Sequence, residues 1–274
     1  MKTVLVATDL SERSDRAVCR AIRIAREHKG RCVVLHVFDD NLPSDLAPRM
    51  RAEAETELER FIEAEKGDAD VTARVVSGDP LAVIPEVVEE IGADLVVLGL
   101  HRKRRILDQL RETTMERLVR LMRQPVLLVH EHADHSYARI LAPVSYSPAC
   151  ATALVTARRL APAADISAVH AIYLPFSGLT GEQPGGPMDI ELTAESEAKR
   201  AAWCADQGLS EDLAAVTTFT GSFYDMIDTQ MRTYKPDLIA LGAHTRSGLS
   251  PYTLGSFAAN LVRHPPTDLL LAHP

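Results

Sequence analysis

The stretch from Gly242 to Ser256 holds the residues best suited to chemistry. Residues 236–242 read as a buried strand, a loop rich in Gly, Ser and Thr follows, and Gly255-Ser256 opens a helix over residues 257–263. Glycines let backbone N–H groups come close to an anion. A helix N-terminus with Ser256 at its cap adds donors and a favourable dipole, which is phosphate-binding chemistry. An ordinary capped crossover from strand to helix is built from the same residue types.

Other residues point less sharply. The run Arg102–Arg105 with Arg111 could grip phosphates through side chains. Asp108, Glu112 and Glu116 fall at helical spacing from those arginines and would pair with them on a solvated face. His130, His132 and His135 crowd one segment with Glu131 and Asp134, without the spacing of a tetrahedral metal site, so a polar linker and no metal is expected. His36 and His170 each follow an apolar strand and are expected to face the neighbouring loop. His244 and Asp225 are the acid–base groups nearest Ser256 in sequence, and neither has an evident partner. The G-x-S-x-G elbow, the G-x4-G-K-(S/T) loop and the early G-x-G-x-x-G fingerprint are absent. Trp203 is read as packing.

These residues need elements to hold them, and the chain supplies one set twice. Apolar run, turn, amphipathic helix and apolar run occupy residues 1–37, with Ala17, Val18, Ala21, Ile22 and Ala25 at helical spacing behind Ser11 and Ser14. The same order returns from Arg139, offset by about 135 residues. Later parts match too: strand-and-turn 71–78 with 214–221, helix 84–91 with 226–234, buried strand 93–99 with 236–242, and final strands Val126–Val129 and 268–272. Short apolar strands alternating with helices imply parallel sheets covered on both faces, hence two doubly wound α/β domains, 1–134 and 138–274. Residues 174–199 read as a long surface loop with a helix from Leu192. In such sheets ligands lie beyond the carboxyl ends of the strands.

The composition agrees. A chain of 274 residues is long enough for two domains, and 46% hydrophobic with 25% charged residues is ordinary for a globular protein. No apolar run approaches the roughly 18 residues of a membrane span. An acidic residue arrives at Asp9, too early for a secretory signal. Four scattered cysteines fit neither a disulfide framework nor a clustered zinc site. The net charge is −8, neither half is basic, and aromatics are 5%, so nucleic acid is not an expected partner. The reading is a soluble, cytoplasmic protein with no membrane partner.

Over essentially its whole length the sequence resembles a tandem universal stress protein. Nucleotide-binding members of that family carry G-x2-G-x9-G-(S/T) after the fourth strand and an Asp after the first strand. The second half has Gly242-x2-Thr245-x9-Gly255-Ser256, with Thr in place of the middle glycine, and Ser145 where the family has Asp. The first half keeps Asp9 after Thr8, but its later loop reads Gly99-x2-Arg102-x9-Glu112-Thr113. The resemblance implies a vestigial site in the first domain at Thr8, Asp9, Gly99 and Thr113. It implies a site for ATP or another adenine nucleotide in the second. There Pro143, Val144 and Ser145 would face the base and Gly242, Thr245, Gly255 and Ser256 the phosphates, with Mg2+ only if ATP is bound. It also implies a pseudo-dimer within the chain, Val126–Val129 pairing with Leu269–Ala272, and leaves room for a homodimer. The function expected is stress-response binding. A nucleotide-free scaffold or sensor for a protein or other small ligand, and a weak ATP-hydrolysing enzyme, stay open as alternatives.

Overall fold

The structure is a computed structural model that describes residues 1–38, 46–100, 114–132, 134–174, 185–243 and 256–274. It divides into two compact units, residues 1–136 with 245–269, and residues 137–244 with 270–274. In the first unit the elements are β1 (Thr3–Thr8), α1 (Glu12–Glu27), β2 (Arg31–Phe38), α2 (Ala47–Glu65), β3 (Asp70–Ser77), α3 (Pro80–Ile91), β4 (Leu95–Gly99), α4 (Thr114–Leu121) and β5 (Val126–Val129). The strand order is β3-β2-β1-β4-β5, and each of these neighbours is parallel. Val4, Leu5, Val6, Val96, Val97, Leu127 and Leu128 are wholly buried, as parallel strands covered on both faces require. Each such side chain contributes about 1.5–3 kcal/mol of transfer free energy.

The expected first helix forms with Ser11 as N-cap. Ser14 sits at the third helical position and completes a capping box, rather than capping by itself. Its buried face carries Ala17, Val18, Ala21, Ile22 and Ala25. Gly30 lets the chain turn into β2 beside β1, where a Cβ would lie 2.7 Å from the carbonyl oxygens of Met1 and Lys2. α2, which the sequence reading leaves unnamed, buries a narrow stripe of Ala54, Leu58 and Ile62 among charged residues.

The second unit contains β6 (Arg139–Pro143), α5 (Pro148–Leu160), β7 (Asp165–Ile172), α6 (Pro187–Gln207), α7 (Glu211–Ala214), β8 (Val216–Thr220), α8 (Phe223–Thr233) and β9 (Leu238–Gly242). Its strand order is β9-β6-β7-β8, again parallel. α6 starts at Pro187, five residues before the expected Leu192. Pro187 at the first turn suits helix initiation. The Asp189 carboxylate accepts from Gly185 N and Thr220 Oγ1, both at 2.7 Å. The buried stripe of α6 is Asp189, Ser196 and Trp203, two of them polar, so no apolar period announces the helix.

The repeat extends to individual hydrogen bonds. Asp94 accepts from the N–H groups of Lys2 and Thr3, and Asp237 from those of Ala138 and Arg139. Gly78 N donates to Phe38 O and Gly221 N to Ile172 O, both at 2.9 Å, with both glycines at positive φ. α9 (Ser256–Arg263) and the start of β10 (Asp268–Ala272) belong to the first unit, and Leu270–Ala272 to the second. No helix among the described residues is long and apolar enough to cross a membrane.

Three arginines of α1 strap down the segment after β5. Arg16 donates to His130 O at 3.0 Å, Arg20 to His135 O at 2.6 Å and His132 O at 3.1 Å, and Arg23 to Asp134 O at 3.2 Å. Asp268 Oδ1 accepts from the N–H groups of His130 and Glu131, while its Oδ2 lies 3.5 Å from Arg20 Nε. Arg20 and Asp268 are 2% and 0% exposed. Removing one member of a buried pair strands the other charge, at a cost of about 3–5 kcal/mol. Arg20→Met should therefore lower the urea-unfolding free energy by that amount, and Arg23→Ala, a third exposed, by about 1 kcal/mol or less. A loss below about 1 kcal/mol for Arg20→Met would mean that the strap does not hold the unit together.

Candidate functional site

In the second unit the chain leaves β6 at Pro143, whose register partner is Val169. Val144 N donates to Val169 O at 2.9 Å, and the ring Nδ1–H of His170 donates to Val144 O at 2.8 Å. Ser145 turns towards α5: its N–H donates to Cys150 Sγ at 3.4 Å, and its hydroxyl meets the same sulfur at 3.6 Å. The Ser147 hydroxyl caps α5 by accepting from Cys150 N and donates to Cys150 Sγ at 3.3 Å. A Cβ on Gly242 would lie 2.6 Å from Cys150 N and 2.7 Å from Ala149 C. The first glycine of the loop motif thus has a packing cause: it lets α5 begin against the end of β9.

Tyr146 follows in the left-handed conformation, φ 58°. Its ring stacks on His170 with centroids 4.4 Å apart and packs at a tilt on Trp203 at 5.6 Å. The phenol meets Ser196 Oγ at 2.8 Å. Trp203 is buried and donates to Ser147 O at 2.9 Å, which agrees with its reading as packing. Burial pushes the His170 pKa below the ordinary value of 6.5, against the opposing effect of its bond to Val144.

The corresponding place in the first unit is built differently. The Thr8 hydroxyl donates to Ser14 Oγ at 2.8 Å and accepts from Leu10 N at 3.0 Å, and His36 Nδ1 donates to Thr8 O at 2.9 Å. Asp9 accepts from both the N–H and the hydroxyl of Ser11. Gly99 closes β4 opposite Val129. Beside Thr8 lies a cavity of about 370 Å³, walled by Leu10, Val18, Leu58, Phe61 and Ala64, with Asp15, Glu57 and Arg60 also lining it. Burial first, then Glu12, Glu57, Asp9 and Glu65, raise the Asp15 pKa. Burial and Glu65 likewise push the Cys19 thiol up to about 11. So acidic a neighbourhood disfavours phosphate. Glu116 is buried and accepts from Arg263 Nε at 2.9 Å, a longer-range partner than the local arginines expected for it. Among the described residues no group of three or more His, Cys, Asp or Glu could hold a metal ion.

The family model for the universal stress protein family matches residues 1–130 and again 136–273. The chain belongs to the universal stress protein family. A universal stress protein A homolog from Haemophilus influenzae is 31% identical over 110 residues, covering 37% of this chain and 78% of its own. The solved structure of a universal stress protein from Archaeoglobus fulgidus matches with a TM-score of 0.68 at 18% identity, covering 99% of this chain and 98% of that one. A functionally unknown protein from Pseudomonas aeruginosa matches at 0.66 and 17% identity, covering 100% and 93%. At such identities the structural likeness concerns the fold: two universal stress protein domains with mostly parallel sheets.

Of the residues singled out in this universal stress protein, Pro143, Val144, Ser145 and Gly242 lie in the second unit at the carboxyl ends of β6 and β9. Thr8, Asp9 and Gly99 lie in the first, at the ends of β1 and β4. Ser256 is the first residue of α9, where a cap position was expected. Thr245, Gly255, Arg102–Arg105, Arg111, Glu112, Thr113 and His244 fall outside the described residues. Sequence reasoning misses Tyr146, although the repeat aligns Thr8-Asp9-Leu10 with Val144-Ser145-Tyr146.

Two outcomes follow for the second unit. Gly242→Ala, although nearly isosteric, should cost about 1–3 kcal/mol in thermal or urea unfolding because neither the strand end nor the helix start can yield freely; an unchanged midpoint would remove the packing account. Because His170 has a lowered pKa in the folded state, the unfolded chain takes up its proton first. Its effect on stability is absent above the ordinary histidine value and appears as a loss when pH falls below about 6.5. Wild type should therefore lose more unfolding free energy between pH 7.5 and 5.5 than His170→Gln does, and equal losses would mean that His170 is not held neutral by its burial.

Proposed function

We propose that this universal stress protein is a cytoplasmic, non-enzymatic binding protein for the stress response, and that its second domain, residues 138–274, takes ATP or another adenine nucleotide. Pro143, Val144 and Ser145 face the base, and Gly242, Thr245, Gly255 and Ser256 face the phosphates. The observation that carries the reading is the spacing Gly242-x2-Thr245-x9-Gly255-Ser256 leading into α9, whose N-terminal N–H groups suit an anion. The contrast with the first domain supports it, because Glu112 and the carboxylates around Asp15 make that domain unsuited to phosphate. Mg2+ enters this reading only with ATP. Pairing of Val126–Val129 with Leu269–Ala272, and of two chains in a homodimer, belongs to the same proposal.

A nucleotide-free scaffold or sensor is the second reading, favoured by Gly242, whose lack of a side chain is already explained by the start of α5. Hydrolysis has less support. Asp225 is occupied in capping α8, where its N–H donates to Ser222 Oγ and its carboxylate accepts from the same hydroxyl.

Isothermal titration with ATP decides between the first two. Gly255→Glu places a side chain and a like charge at the phosphates. At about 4 Å and an effective dielectric near 20 that repulsion is on the order of 4 kcal/mol, or roughly a thousandfold in affinity. Binding to wild type that vanishes in Gly255→Glu is the expected result, with Glu112→Gly gaining no second site because Arg102 still stands where the motif has a glycine. Equal affinity in wild type and Gly255→Glu would remove the second-domain loop from the reading, and no heat with any variant would favour the scaffold.

A further inference from the structure

We infer that the Tyr146 ring is a resident plug on the base side of the second domain and determines what that side admits. The inference rests on the nucleotide reading above. It starts from two residues with one backbone conformation: Leu10 at φ 61° and Tyr146 at φ 58°, each in the left-handed region that L side chains seldom occupy. Each comes two residues after the carbonyl that a strand-end histidine binds, Thr8 O by His36 and Val144 O by His170. The two positions share this φ and this place after the strand, and they differ in residue type. Beside Leu10 a cavity of about 370 Å³ is open, a size that suits a small ligand.

Beside Val144 the phenol ring is fixed on three sides. His170 stacks on it at 4.4 Å, Trp203 packs against it at 5.6 Å, and Ser196 meets its hydroxyl at 2.8 Å. The histidine under the ring is the one that holds Val144 O, so the ring lies against the strand end where a base would have to sit. A planar base reaches buried Val144 by displacing the ring from His170, and a ligand that cannot supply an equivalent stack is refused. Tyr146 thus sets affinity and specificity without a charge, one residue after Ser145, where the family resemblance would place a carboxylate.

The test is ATP titration of wild type, Tyr146→Phe, Tyr146→Leu and the double variant Tyr146→Leu/Gly255→Glu, each first checked for a cooperative melt through the emission of Trp203. Tyr146→Leu copies Leu10 and should bind ATP at least tenfold more tightly than wild type. Tyr146→Phe, which loses only the Ser196 bond, should fall between them and serves alone should the leucine variant not fold. If the double variant loses the gain, the plug and the phosphate loop both stand. If it keeps the gain, the plug stands and the loop assignment fails. Wild type that binds ATP as tightly as the Phe and Leu variants overturns the plug and leaves the nucleotide reading intact. No binding by any variant overturns both.

Discussion

Parallel strands buried on both faces have no room for reactive groups along their length. Val4 to Val6, Leu95 to Val97 and Leu238 with Ile239 are wholly excluded from solvent and lie in register with a parallel neighbour. Chemistry is therefore confined to the strand ends, and the ends are shaped by how closely a helix can begin. α1 begins behind the Ser11–Ser14 capping box, and α5 begins against Gly242 so tightly that a methyl group has no place. Which residues stand at the strand end in each unit is set by those two helix starts.

The two units solve this with the same framework and different side chains. Asp94 and Asp237 anchor the start of the central strand by accepting two N–H groups each, and His36 and His170 bind the carbonyl at its far end. Between these fixed points the sequence has diverged. In the first unit Thr8 reaches Ser14 through a hydroxyl pair at 2.8 Å, while in the second Ser145 meets the sulfur of Cys150 at 3.4 Å through its N–H and at 3.6 Å through its hydroxyl. Sulfur is a weak partner. The second strand end also carries the Tyr146 stack on His170, where the first unit has Leu10.

The framework was readable because it obeys period and punctuation. The helix of Ala17, Val18, Ala21, Ile22 and Ala25 and the buried strands of the first half follow from apolar spacing, and the strands of the second half, the partly exposed Val216–Thr220 among them, from the repeat. What escaped did so for a physical reason. α2 buries just Ala54, Leu58 and Ile62, and α6 buries Asp189 and Ser196 with Trp203, so neither carries a strong apolar period. Partnerships between residues far apart in sequence are equally silent: Glu116 with Arg263, and Arg20 with Asp268, become visible once the chain is folded. Of the site, the strand-end positions Thr8, Asp9, Pro143 to Ser145 and Gly242 were legible, because the fold dictates them. The importance of Tyr146 was not, since a left-handed residue followed by a stack on a distant histidine leaves no mark in a motif.

That silence bears on what motif degeneracy means in this family. Replacing the first-strand Asp by Ser145 looks, in sequence, like simple loss of a recognition group. In the folded unit the substitution comes with a second one, Leu to Tyr at the next position relative to the first repeat, and the new ring fills its surroundings with aromatic and hydroxyl partners. Ser145 itself is exposed, so burial of the strand end does not decide its type; the desolvation that lowers the His170 pKa acts on the histidine under the ring. The change with a visible structural consequence at this strand end is therefore the tyrosine, whose ring stacks on the histidine that binds the Val144 carbonyl, and not the serine before it.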